Sequence, residues 1–411
     1  MILWTRKDSW GHVKSAKDRR VKAKLLLLAI VFVCGPCLAQ QGQGFPAPTN
    51  IPGAEYPRVN SDLSVTVRVR ADQAQKVQLL MELGQQTYNM TRDSDGFWEV
   101  TTKPLLPGFH YYAISVDGFV SNDPGSRTFF AARQEVSGLE IPGPESDFFA
   151  VKDVPHGTIR TDWYRSKTAA AVRRIFVYTP PGYDRGVARY PVLYLQHGFG
   201  ENEAAWSDQG HENFILDNLI AAHKAKPMII VNANGMIGVH FQPPAPSESG
   251  DAGSSSSRTV SHYFMDEHYA QFDRIVSMEL IPFIDSHFRT IADRNHRALA
   301  GLSMGGAQAL RIGLNHLDEF SYIGAFSPAI EITDTKKDYG GILANPARPN
   351  EQLHLLWIGI GSEDFLLGDV KESHEVLQKA GIKHVWFESS GAHVWTVWRK
   401  YLADFAPRLF Q

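Results

Sequence analysis

Apolar and polar residues follow two different rhythms along the chain. From residue 62 to 130 the runs are short and alternate, as in Ser64-Val65-Thr66-Val67-Arg68-Val69. A period of two is the mark of a strand with one face buried. The same reading gives strands at 76–81, 98–101 and 110–116, separated by turn sequences such as Asp95-Gly96, Leu106-Pro107-Gly108 and Asp117-Gly118. Strands this short and closely spaced predict a small all-β sandwich over 58–135. After a Pro-containing linker at 136–157, strand-like runs at 174–179, 192–196, 227–232, 297–301, 353–359 and 384–387 alternate with helical patterns at 211–223, 269–287, 304–315, 370–380 and 397–409. Strand–helix alternation of this length predicts an α/β domain over 158–411 with a doubly wound, mostly parallel sheet. Residues 243–259 interrupt it with Pro, Gly and Ser and read as a surface loop, a lid or a plain insertion. Trp98, Tyr111 and Tyr112 of the sandwich suit either core packing or a sugar platform, and their strand context favours the core.

Composition changes the picture at the start of the chain. Lys14, Lys17, Arg19, Arg20, Lys22 and Lys24 precede an apolar run at 25–34, with small residues before Gln40. That order predicts a secretory leader over 1–39 and a secreted or periplasmic protein, followed by a flexible arm at 40–57. The run is about half of the ~20 apolar residues a membrane span needs, so no membrane association is expected after cleavage. Of the 41 Lys/Arg and 44 Asp/Glu, eight and two fall within 1–39, leaving 33 and 42, a net charge of −9. An acidic surface argues against nucleic acid. Both cysteines lie in the leader, so no disulfide, thiol nucleophile or thiolate metal site is expected beyond it. No cofactor or metal motif is evident.

The candidate chemistry lies in the α/β part. Gly301-Leu302-Ser303-Met304-Gly305 sits between a predicted strand and a predicted helix. A nucleophile on such a turn needs small residues two positions before and after it, because strand and helix approach closely there. Ser303 is therefore the candidate nucleophile. His393, in a small-residue loop after the last predicted strand, is the candidate base; His354, His374 and His384 lie within predicted strands or on a helix. Asp364, after the strand at 353–359, is the candidate acid, with Glu363 as the alternative and Asp369 as a more distant one. The backbone N–H groups of Met304 and of Phe199, the latter in the glycine-flanked turn after 192–196, are candidate oxyanion donors. His197 in that turn reads as structural.

Four stretches carry a family resemblance: 190–206 (YPVLYLQHGFGENEAAW), 297–306 (RALAGLSMGG), 357–364 (WIGIGSED) and 391–402 (GAHVWTVWRKYL). They resemble the esterase-D type of α/β-hydrolases, which includes feruloyl esterases and acetylxylan esterases of the first carbohydrate-esterase family. The N-terminal part resembles the immunoglobulin-like, glycogen-binding-related module that precedes such enzymes. The resemblance implies a serine carboxylic-ester hydrolase acting on plant cell-wall polysaccharide esters, with feruloyl groups first, and adds Trp206 as a candidate substrate contact. Acetylxylan esterase, siderophore esterase and a non-catalytic carbohydrate-binding protein on the same scaffold are the competing expectations.

Overall fold

The computed structural model describes residues 44–237 and 267–411. The expected leader at 1–39 and the segment 243–259 lie outside them.

The N-terminal part is built of a five-stranded and a six-stranded sheet. Val65, Val67 and Val69 of one sheet meet Val77, Leu79, Met81, Tyr112 and Ile114 of the other in a single apolar cluster. The alternation in the sequence is thus the inward face of a sandwich. Its limits are wider than expected. Phe45–Pro46 pairs with Arg58–Val59, and Gln134–Ile141, which runs into the linker expected at 136–157, is a strand between Thr128–Ala131 and Gly108–Val116. Residues 136–141 are all buried, so no polar–apolar alternation marks this strand.

The C-terminal part holds one eight-stranded sheet. Its strands are β1 (Thr158–Ser166), β2 (Ala171–Thr179), β3 (Val192–Gln196), β4 (Ile229–Ala233), β5 (Arg297–Leu302), β6 (Tyr322–Phe326), β7 (Leu355–Gly361) and β8 (Val385–Ser389), in the spatial order β1-β2-β4-β3-β5-β6-β7-β8. β1–β2 and β2–β4 are antiparallel and the rest are parallel. The central strands are buried on both faces, as parallel strands between helical layers are. Two strands escaped the sequence reading. β1 is a largely polar edge strand, and β6 (YIGAF) is a short, fully buried run without alternation.

Five helices matter for the site: α1 (Glu212–Ala221), α2 (Ile281–His287), α3 (Met304–Asn315), α4 (Leu367–Lys379) and α5 (Trp395–Phe405). The helix expected at 269–287 contains a π-helical turn at Val276–Leu280 before α2. α5 carries Trp395, Trp398, Tyr401, Leu402 and Phe405 into a cluster that also contains Phe109 and Phe129 of the sandwich. One apolar cluster thus spans both parts, beside the sandwich's own. Gly108 marks the contact: a Cβ there would lie 1.9 Å from Thr396 Oγ1 of α5.

Candidate active site

Ser303 stands between β5 and α3 at φ 53°, ψ −117°. A non-glycine residue in such a conformation costs of order 1–3 kcal/mol and persists only where its surroundings over-determine it. Here they do. Its N–H donates to Phe326 O (2.8 Å), and its carbonyl accepts from Ala307 N and Ala329 N, both at 3.1 Å. The flanking glycines are explained by space. A Cβ on Gly301 would lie 2.6 Å from the backbone of Gly305, and one on Gly305 would lie 2.5 Å from His197 O. Met304 is the first residue of α3, so its N–H has no carbonyl four residues back within the helix.

The acid and the histidine arrive from the neighbouring strand ends. Parallel pairing of Gly361 with Ser389 brings the ends of β7 and β8 together, and Ser362 N and Glu363 N donate to Ser389 O and Gly391 O. His393 Nδ1 then lies 2.8 and 3.0 Å from the two carboxylate oxygens of Asp364. Asp364 is buried and Glu363 is exposed. Burial alone would push the Asp364 carboxyl up, but the His393 ring and the Leu366 N–H hold it below the usual carboxylate range. With Nδ1–H donating to the carboxylate, Nε2 is the basic nitrogen. Phe365 and Trp398 flank the ring, at 4.6 and 4.9 Å between centroids. Asp369 lies away from this pair, exposed in the first turn of α4.

Ser303 and His393 face one cavity of about 490 Å³. Its walls are mostly apolar and aromatic: Phe199 and Leu302 from one side, Phe365, Val394 and Trp398 from another, and Leu83, Phe109 and Tyr111 from the sandwich. Gly198, before Phe199, packs so that a Cβ would lie 3.6 Å from Ser303 Cβ. His197 beneath this turn is buried, with Nδ1 2.7 Å from Gly198 O and Nε2 accepting from Gly235 N at 2.9 Å. Burial pushes its pKa down to about 4, so it is neutral and fixed in one tautomer, as a structural residue should be. Such an arrangement can move a proton from a serine hydroxyl to an imidazole while a carboxylate holds the developing imidazolium.

Trp206 is a correction. It is 1% exposed, packs edge-on to Phe326 and Trp395 and donates from Nε1 to Gln196 O at 2.9 Å. It braces the end of β3 from within the core and does not line the cavity. Trp98 and Tyr112 are likewise buried, with Nε1 donating to Ala71 O and the hydroxyl to Asp123. Neither offers an open face to a sugar. Tyr111 is the exception and points into the cavity.

Sequence reasoning missed the buried polar contacts behind the site. Glu201 accepts from Gly198 N (2.9 Å), Trp395 Nε1 (3.0 Å) and the Tyr111 hydroxyl (3.2 Å), and burial pushes its pKa up to about 7. Arg399 of α5 makes a two-pronged pair with Glu140 of the sandwich, at 2.9 and 2.8 Å, with both side chains buried. The partners lie 90 and 259 residues apart for Tyr111–Glu201 and Glu140–Arg399. No local pattern reports such pairs.

The strand order, the sharp turn after β5 and the loops after β7 and β8 define the class: an α/β-hydrolase. Within that class the chain belongs to the family described as "Putative esterase", which matches residues 166–409. An endo-1,4-beta-xylanase/feruloyl esterase of Xylanibacter ruminicola is 37% identical over 98% of this chain and 53% of its own length, so the chain spans about half of that relative. A ferulic acid esterase of Anaeromyces mucronatus, solved with ferulic acid, is 26% identical; the match covers 64% of this chain and 95% of that one, with a TM-score of 0.52. The enterobactin esterase of Shigella flexneri shares the fold over 83% of this chain and 92% of its own, at 17% identity and a TM-score of 0.57.

Proposed function

We propose that this protein hydrolyses carboxylic esters with an aromatic acyl group, feruloyl esters of xylan foremost, through Ser303, His393 and Asp364. The observation that carries the reading is the strained Ser303 and the His393–Asp364 pair on one aromatic-walled cavity. His393 Nε2 takes the proton as Ser303 Oγ attacks the ester carbonyl, and Asp364 stabilises the imidazolium. The N–H groups of Met304 and Phe199 receive the oxyanion, each such donor contributing about 3 kcal/mol of transition-state stabilisation. The protonated His393 releases the alcohol. Neutral again, it deprotonates a water that attacks the acyl carbonyl, then passes that proton to Ser303 Oγ as the acid leaves.

The cavity supports the acyl group. An acetyl group would fill a small part of a volume of about 490 Å³, whereas a flat aromatic acid meets Leu83, Phe109, Tyr111 and Phe199 on its faces. The feruloyl-esterase half of the Xylanibacter relative's name agrees. Export, supported by the basic-then-apolar pattern of residues 14–34, would bring the enzyme to cell-wall polysaccharide. The test is a panel of methyl ferulate, acetylated xylan and a catecholate siderophore ester. The expected order of kcat/KM has methyl ferulate first by at least tenfold. Faster release from acetylated xylan or from the siderophore would replace the feruloyl assignment.

A further inference from the structure

The turn that carries Gly198 and Phe199 is not held by the hydrolase part alone. Its first amide, Gly198 N–H, is bound by one oxygen of Glu201 at 2.9 Å. The other oxygen of Glu201 takes the hydroxyl of Tyr111, from the sandwich strand Gly108–Val116, and Nε1 of Trp395, the first residue of α5 and two residues after His393. The Tyr111 hydroxyl is itself fixed by Gln209 Nε2 at 2.9 Å. A second clamp closes on the same turn from the hairpin tip at Ala132 and Arg133, both in left-handed conformations at φ 48° and 65°. Arg133 N donates to Gly200 O at 2.8 Å, and its guanidinium lies 4.8 Å over the Phe199 ring. The turn packs closely on the end of β5: a Cβ on Gly198 would lie 2.7 Å from Leu302 Cδ1 and 3.6 Å from Ser303 Cβ.

We propose that Tyr111 and Glu201 are positioning residues that hold the Gly198–Phe199 turn in register with Ser303, so that the sandwich sets one half of the oxyanion site. This rests on the esterase reading and on Phe199 N–H as an oxyanion donor. Three neutral donors converge on the buried Glu201 carboxylate. Desolvating a carboxylate is costly, and an apolar side chain would fill the same volume without that cost. What an apolar residue would lack is a directional hold on Gly198 N–H that also reaches Tyr111 and the helix after His393. Donor placement is the quantity that such a hold protects, because a misplacement of about 1 Å costs on the order of 100-fold in rate.

The test compares Tyr111→Phe and Glu201→Gln with wild type on methyl ferulate and on 4-nitrophenyl acetate. The folding of each variant is checked by circular dichroism and thermal melting. Both variants keep the side-chain shape, so the full loss of donors' partners that Glu201→Ala would cause is avoided. The oxyanion is common to both esters, so each variant is expected to lower kcat by about 10–100-fold on both, with KM within about twofold. The double variant should lose little more than the worse single one, because both act through the same turn. Phosphonylation of Ser303 by a fluorophosphonate, which also develops a negative oxygen there, should slow in parallel. Folded variants with unchanged kcat on both esters would overturn the proposal. So would a loss confined to methyl ferulate, which would make Tyr111 a wall contact only. A wild type that neither turns over either ester nor is labelled at Ser303 would remove the esterase reading itself, and this proposal with it.

Discussion

Ser303 is held in its strained conformation by its immediate neighbours in the chain and on β6. A nucleophile on a strand-to-helix turn demands its glycines within two residues, and the backbone clearances at Gly301 and Gly305 are the physical form of that demand. The choice between Asp364 and Glu363 was open in the sequence, since adjacent residues on a loop point to different sides and nothing local says which. Burial favours Asp364: its carboxylate faces His393 Nδ1 while Glu363 is exposed. Asp364→Asn should therefore lower kcat on methyl ferulate by roughly 10³–10⁴-fold, because an amide no longer fixes the tautomer or stabilises the imidazolium. Glu363→Gln should stay within about threefold of wild type, because Glu363, although it lines the cavity, is exposed and is not bonded to His393. Equal losses in the two would return the assignment to open. Trp206 shows the limit of residue-level reading. An aromatic side chain beside a glycine turn looks the same in sequence whether it faces a substrate or the core. The bond from its indole N–H to Gln196 O separates the two cases.

At the level of elements, periodicity recovered the alternating sandwich strands and most of the central parallel strands, and lost β1 and β6. β1 is polar because it is an edge, and β6 is short and apolar throughout. The turns that shape the cavity were equally silent. Glu82 and Leu83 sit at φ 50° and 55° ahead of Gly84, and Leu83, 52% exposed, forms part of the cavity wall. A leucine in a left-handed conformation is strained, and glycine there would relieve about 1 kcal/mol. Leu83→Gly should accordingly raise or preserve stability in urea unfolding while lowering kcat/KM for methyl ferulate by about tenfold, the worth of the lost apolar contact. The value for 4-nitrophenyl acetate should hardly change. A matching loss on both esters would mean that the turn acts on the chemistry and not on the acyl group.

For the molecule as a whole, the sequence divides into two grammars, but one apolar cluster crosses the boundary between them. Phe109 and Phe129 pack with Trp395, Trp398 and Tyr401, and Glu140 is paired with the fully buried Arg399 across the same boundary. The sandwich therefore behaves as a wall of the hydrolase part. Glu140→Gln leaves the Arg399 guanidinium buried without its counter-charge and should cost about 3–5 kcal/mol in urea unfolding. The transition should stay single, because one apolar cluster and the Glu140–Arg399 pair tie the two parts together. Two separated transitions would show instead that the sandwich folds as an independent unit.

All of these arguments depend on Ser303 being the group that takes the acyl chain. The most direct measurement is the turnover of methyl ferulate by Ser303→Ala against wild type, with the fold checked by circular dichroism and ferulate release followed by absorbance. The account predicts a loss of at least ~10³-fold in kcat, as for removal of a serine nucleophile that acts as one unit with its base. A folded Ser303→Ala protein that keeps more than a few per cent of the wild-type rate would contradict it.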